Sequence, residues 1–147
     1  MSRLTRAGER TIAEPMIALA RCAKQQRILV AGANSAKLMF ELHRRGHVRV
    51  ATTANCGLPA GQYDVVLVDW RQRSLKSLET MLDWLVVFLS SAGVLVVWID
   101  PLASADNRKL RAMLEGHGLV VEAGTIREDG CAVSARRGDT RPLSKVA

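Results

Sequence analysis

Three stretches of this chain are apolar without a break for the length of a strand: residues 28–31, 65–68 and 94–99. A strand with one wet face alternates apolar and polar residues, so an unbroken run belongs to a strand covered on both faces. The segments between the runs supply the cover. Ile12, Met16, Leu19 and Ala23 recur at helical spacing and predict a helix over 11–24. Leu38, Met39 and Leu42 define the inner face of a helix over 36–45, with Ser35 placed to cap it and Gly46 to end it. Leu75, Leu78, Leu82, Leu85 and Leu89 mark a helix over 75–89, ended by 90–93. Leu110, Met113 and Leu114 mark a fourth over 106–116.

Strands are expected over 28–31, 48–52, 63–69, 94–99, 120–126 and 131–135. The last two flank the turn Glu128-Asp129-Gly130, a hairpin signal. Alternation of strand and helix implies a parallel sheet with right-handed crossovers. The expected fold is therefore α/β: a three-layer, Rossmann-like sandwich whose mostly parallel sheet closes with an antiparallel C-terminal hairpin. At 147 residues this is one domain. It divides into an N-terminal helical segment (1–26), an α/β core (27–137) and a basic tail (138–147).

Composition narrows the function classes. With 48% hydrophobic and 24% charged residues the chain is an ordinary globular one. No apolar run approaches the roughly 18–20 residues of a membrane span. The start lacks the apolar core of a signal peptide. Cys22, Cys56 and Cys131 are odd in number and widely spaced, which argues against a disulfide framework and for a reducing, cytoplasmic setting. His43 and His47 are four apart, but Gly46 interrupts the helix that would align them, so no metal site is expected.

The net charge of +7 sits at the two ends. Residues 1–27 carry six basic and two acidic groups, and 136–147 carry four and one. Residues 28–135 carry eleven of each, so the core is neutral. Neither a basic reading face nor interleaved aromatics is evident, and the sequence argues against nucleic acid as a partner.

In open α/β sheets ligands bind beyond the carboxyl ends of the strands, at the point where strand order reverses. The candidates are then residues 32–36, 52–55, 69–73 and 100–104. Asn34 and Ser35 can donate to an anion at the start of the next helix. Asp69 follows an apolar strand directly and is the leading catalytic candidate. Trp70 offers a ring on which a flat substrate can stack. Asp100-Pro101 reads as a strand-ending turn.

The segment Ile28-Leu29-Val30-Ala31-Gly32-Ala33-Asn34-Ser35-Ala36 is similar to the first strand and glycine-rich turn of class I S-adenosylmethionine-dependent methyltransferases. Leu58-Pro59-Ala60-Gly61-Gln62-Tyr63-Asp64-Val65-Val66 resembles that family's lead into its fourth strand. Leu89-Ser90-Ser91-Ala92-Gly93-Val94-Leu95 resembles the entry to its fifth. Residues 110–121 are similar to its last helix and sixth strand, and 130–137 to its antiparallel seventh.

The resemblance covers about residues 27–137. It implies S-adenosylmethionine as cofactor, held by Gly32, Asn34, Ser35, Ala36, Thr52 and Thr53, with Asp69 and Trp70 toward a small methyl acceptor. Several family positions differ here. Val30 stands for the acid of the first motif, Asn34 and Ala36 for two glycines, and Thr52 and Thr53 for the acid that holds ribose hydroxyls. Residues 54–62 are too few for the helix-strand-helix piece that walls the adenine, so the sheet is expected to be truncated.

Two function classes stay open. One is an enzyme that transfers methyl to a small molecule. The other is a non-catalytic interaction domain, dimeric, whose helix 75–89 presents Trp84, Val86 and Val87 for burial. The segment 28–48 also resembles nicotinamide-dinucleotide domains, which keeps NAD or NADP as an alternative ligand.

Overall fold

The computed structural model describes residues 12–32, 34–53, 61–100, 104–127 and 130–138. In chain order the elements are α1 (Ala13–Ala20), β1 (Ile28–Gly32), α2 (Ser35–Arg44), β2 (Val50–Thr52), β3 (Tyr63–Asp69), α3 (Leu75–Phe88), β4 (Leu89–Ile99), α4 (Ser104–Gly116), β5 (Leu119–Arg127) and β6 (Gly130–Arg137). The strands form one sheet in the order β2-β1-β3-β4-β6-β5. The first four are parallel; β6 runs antiparallel to both β4 and β5.

The unbroken apolar runs have the expected cause. Along β1, Ile28 and Val30 enter one core cluster while Leu29 and Ala31 enter the other. Met16 of α1 and Leu38 and Leu42 of α2 close the first side. Leu78, Leu82 and Leu85 of α3 and Leu110 and Leu114 of α4 close the second. Fully burying one such side chain contributes about 1.5–3 kcal/mol, so these leucines fix the layers. Among the described residues no helix is long and apolar enough to cross a membrane.

Several boundaries differ from expectation. Helix α1 is shorter than 11–24. Arg21 takes a left-handed conformation (φ 55°), and the Cys22 N–H donates to the Ile17 carbonyl, which closes the helix. Thr11 lies outside the described residues. Ser35 does not cap α2 but is its first helical residue; Asn34 holds the cap position, and its side chain makes no capping bond. Strand β2 begins at Val50 rather than Val48, because the His47 N–H still bonds back to the Leu42 carbonyl.

The largest difference lies at 90–93. Instead of a turn after the helix, α3 passes straight into β4 at Leu89, whose φ and ψ are −79° and 133°. The pairing then jumps from Tyr63↔Leu89 to Val65↔Val94. Gly93 closes this irregularity: a Cβ there would lie 2.5 Å from Leu89 Cδ1. The hairpin expected at 128–130 forms between β5 and β6, with residues 128–129 outside the described set. The sheet ends at β2, and only residues 54–60, outside the described set, separate Thr53 from Gly61.

Candidate functional site

Strand β1 has β2 on one side and β3 on the other, so the chain reverses direction across the sheet between β1 and β3. A crevice opens at the carboxyl ends of strands flanking such a point. Gly32 ends β1 and pairs in register with Asp69 at the end of β3. Its φ of +112° and the approach of the Asp69 carbonyl both require glycine, because a Cβ would sit 1.9 Å from that oxygen.

Asp69 is 1% exposed. Arg71 binds both of its carboxylate oxygens, Nε to Oδ1 at 2.8 Å and Nη2 to Oδ2 at 2.7 Å. The Arg71 backbone N–H adds a longer bond to Oδ1 at 3.4 Å, and Asn34 Nδ2 donates to Oδ2, also at 3.4 Å. A buried carboxylate is tolerated when a bidentate guanidinium compensates it. The Asn34 side chain is thus drawn across the crevice to Asp69 rather than onto its own helix.

The loop after β3 is pinned at several points. The Trp70 N–H donates to the Trp98 carbonyl at 2.8 Å, and its indole Nε1 to the Ser74 carbonyl at 2.9 Å. Gln72, in the left-handed region (φ 64°), donates its N–H to the Asp100 carboxylate at 2.6 Å. Ser74 Oγ caps α3 by accepting from the Ser77 N–H. Asp100 is therefore a loop anchor as well as the end of its strand.

The structure brings Gly32, Asn34 and Asp69 together. Ser35 and Ala36 follow on the first turn of α2. Thr52 is buried at the end of β2, opposite Val30, with Thr53 beyond it, so both stand beside the crevice one strand over. Trp70 is placed differently: its ring is 2% exposed, within the core cluster under α3, and the Arg73 guanidinium stands 4.9 Å from its centroid. The ring face expected to stack on a substrate is thus occupied by the protein itself. The sequence reading missed Arg71. The only signal was an arginine two residues beyond a strand-terminal aspartate, and its meaning depends on the left-handed Gln72 that turns it back.

Among the described residues no three histidine, cysteine, aspartate or glutamate side chains gather as a metal site. Burial pushes the pKa of His47 down, reinforced by Lys24 and Arg45. Burial pushes the Cys22 thiol up to about 11, leaving it protonated and a poor nucleophile at neutral pH.

No protein-family model matches this sequence, and no curated protein sequence matches it. Its fold does match solved structures. A ribosomal protein L11 methylase from Lactobacillus delbrueckii subsp. bulgaricus superposes with a TM-score of 0.68 at 14% identity, over 87% of this chain and 78% of that one. The 1,6-didemethyltoxoflavin-N1-methyltransferase of Burkholderia thailandensis, solved with 1,6-didemethyltoxoflavin and S-adenosylhomocysteine, gives 0.63 at 14% identity, over 88% and 79%. A SAM-dependent methyltransferase from Aquifex aeolicus gives 0.61 at 11% identity, over 92% and 97%. In the order of its strands, the antiparallel β6 between β4 and β5, and the crevice between β1 and β3, the chain has the fold of the class I S-adenosylmethionine-dependent methyltransferases.

Proposed function

We propose that this chain binds S-adenosylmethionine at the carboxyl ends of β1 and β3 and passes its methyl group to a small acceptor. The observation that carries this reading is the meeting of Gly32, Asn34 and Asp69, from two separate strand ends, at the point where the sheet reverses. Gly32 supports the fit, since a cradle that excludes even a Cβ brings bare backbone to the crevice floor. Gly32, Asn34, Ser35 and Ala36 would hold the amino-acid portion of the cofactor, and Thr52 and Thr53 would meet its ribose hydroxyls. The bound cofactor supplies an electrophilic methyl group on a sulfonium. Asp69, held rigid by Arg71, orients the acceptor.

A second reading rests on Arg71. Both oxygens of Asp69 are already engaged by the chain's own guanidinium, as expected of a non-catalytic domain that kept the fold. Trp84 and Val87, 41% and 51% exposed on α3, then serve a partner, in the simplest case a second copy.

Thermal unfolding with S-adenosylhomocysteine, NAD and NADP separates the readings. A ligand at about 100 times its Kd adds roughly 2.7 kcal/mol, several degrees for a chain of this size. The proposal expects that shift with S-adenosylhomocysteine alone. A shift with a dinucleotide alone assigns the crevice to NAD or NADP. No shift with any of them, together with a dimer in analytical ultracentrifugation that Trp84→Glu dissociates, establishes the second reading.

A further inference from the structure

A second cavity lies apart from the crevice, on the face of the sheet that α3 and α4 share. It is a cleft of about 770 Å³ between the start of α3 and the outer side of α4. That lies within the roughly 300–1,000 Å³ of small-molecule sites. Its apolar lining includes Ile99 and Met113, the side chains of β4's last residue and of α4. Arg73, Lys76 and Lys109 supply positive charge, and Glu79 and Asp106 negative charge. None of these five is in an ion pair among the described residues. A third carboxylate, Asp100, is engaged by the Gln72 N–H.

Charges of both signs that face one cleft without pairing to each other suit an occupant that carries both. The apolar lining suits one with an apolar body between its charges. We infer that this cleft binds a short peptide with free termini and apolar side chains. Its carboxylate meets Arg73, Lys76 and Lys109, and its ammonium meets Glu79 and Asp106. The pinned loop 70–74 forms the wall: Arg71 faces the crevice and Arg73 the cleft, so the inference stands independently of what the crevice binds.

The test is a titration of the full chain with phenylalanyl-leucine, followed by amide chemical shifts in ¹⁵N-labelled protein. Two controls have the same body, one acetylated at the amine and one amidated at the carboxylate. The expected result is saturable shifts at Lys76, Lys109 and Met113, with each control about tenfold weaker, the loss associated with one charged contact. Lys109→Glu weakens the free dipeptide by a similar factor, and Asp106→Asn weakens the free dipeptide but not the acetylated one. Ala112→Trp fills the cleft from an exposed position and abolishes binding while the spectrum stays that of a folded chain. No shifts at millimolar dipeptide, controls that bind as well as the free form, or an Ala112→Trp variant that still binds would each overturn the inference.

Discussion

The most consequential single interaction is the Arg71 fork on Asp69. Removing one partner of a buried ion pair leaves the other charge uncompensated, at a cost of about 3–5 kcal/mol. Arg71→Met is therefore expected to destabilise the chain by that order in urea denaturation. Adding Asp69→Asn should restore most of the loss, because the amide needs no counter-charge. A double-mutant cycle that shows simple additivity would contradict the pairing. At this scale the sequence was half legible. Asp69 stood out because it ends an apolar strand at the end of the sheet where ligands bind. Arg71 did not, because its reach back to Asp69 is set by a loop conformation that no residue type announces. Gly32 was visible as a turn residue, but the carbonyl it makes room for belongs to a strand 37 positions away in register.

Among the elements, α3 and α4 are joined by one polar contact besides their leucines. His117 Nε2 lies 2.7 Å from Asp83 Oδ1, and its Nδ1 lies 2.9 Å from the Met113 carbonyl. Both neighbours are acceptors, which a doubly protonated ring satisfies. Burial alone would lower the pKa of His117. The Met113 carbonyl and then Asp83 and Glu79 outweigh it and raise the value above the ordinary 6.5. The contribution to stability is thus full below the unfolded pKa and is lost as pH rises through the folded one. Asp83 is largely exposed, so solvent screening holds the effect under about 1 kcal/mol. Urea midpoints across that window should fall more for the wild type than for His117→Gln.

The junction of α3 with β4 makes a sharper prediction. Gly93→Ala should cost about 1–3 kcal/mol in thermal or urea unfolding by forcing its new methyl against Leu89. Trimming that neighbour with Leu89→Ala should make the glycine replacement much less damaging. The helices themselves were legible because leucines at three- and four-residue steps mark a buried stripe. The junction was not, since Ser90-Ser91-Ala92-Gly93 has the composition of a loop and only β3's pairing draws it into the sheet.

Across the whole molecule, β6 is the last strand in sequence yet lies inside the sheet, in register with β4 from Val94↔Arg136 to Ile99↔Cys131. A chain cut after Gly118 would leave that flank of β4 unpaired along its most apolar stretch. Exposed strand edges of this kind template aggregation. The shortened chain should scatter light and sediment as large species, whereas a chain cut after Gly138 should remain monodisperse. The layer order and the closing hairpin could be read from alternation and turn residues. The place of β6 between β4 and β5 could not, because a hairpin signal says that two strands are neighbours and not which of them meets the rest of the sheet.

The fastened loop 70–74 has a consequence for how the two hollows on either side of it relate. Its backbone is tied to β4 at the Trp98 carbonyl and at Asp100, and its end is locked by the Ser74 cap. Signals pass between two ligands only through something that has two arrangements to choose between. A partition fastened at both ends offers one. Occupants of the two chambers would therefore fill them as strangers, each with the same affinity whether or not the other is home.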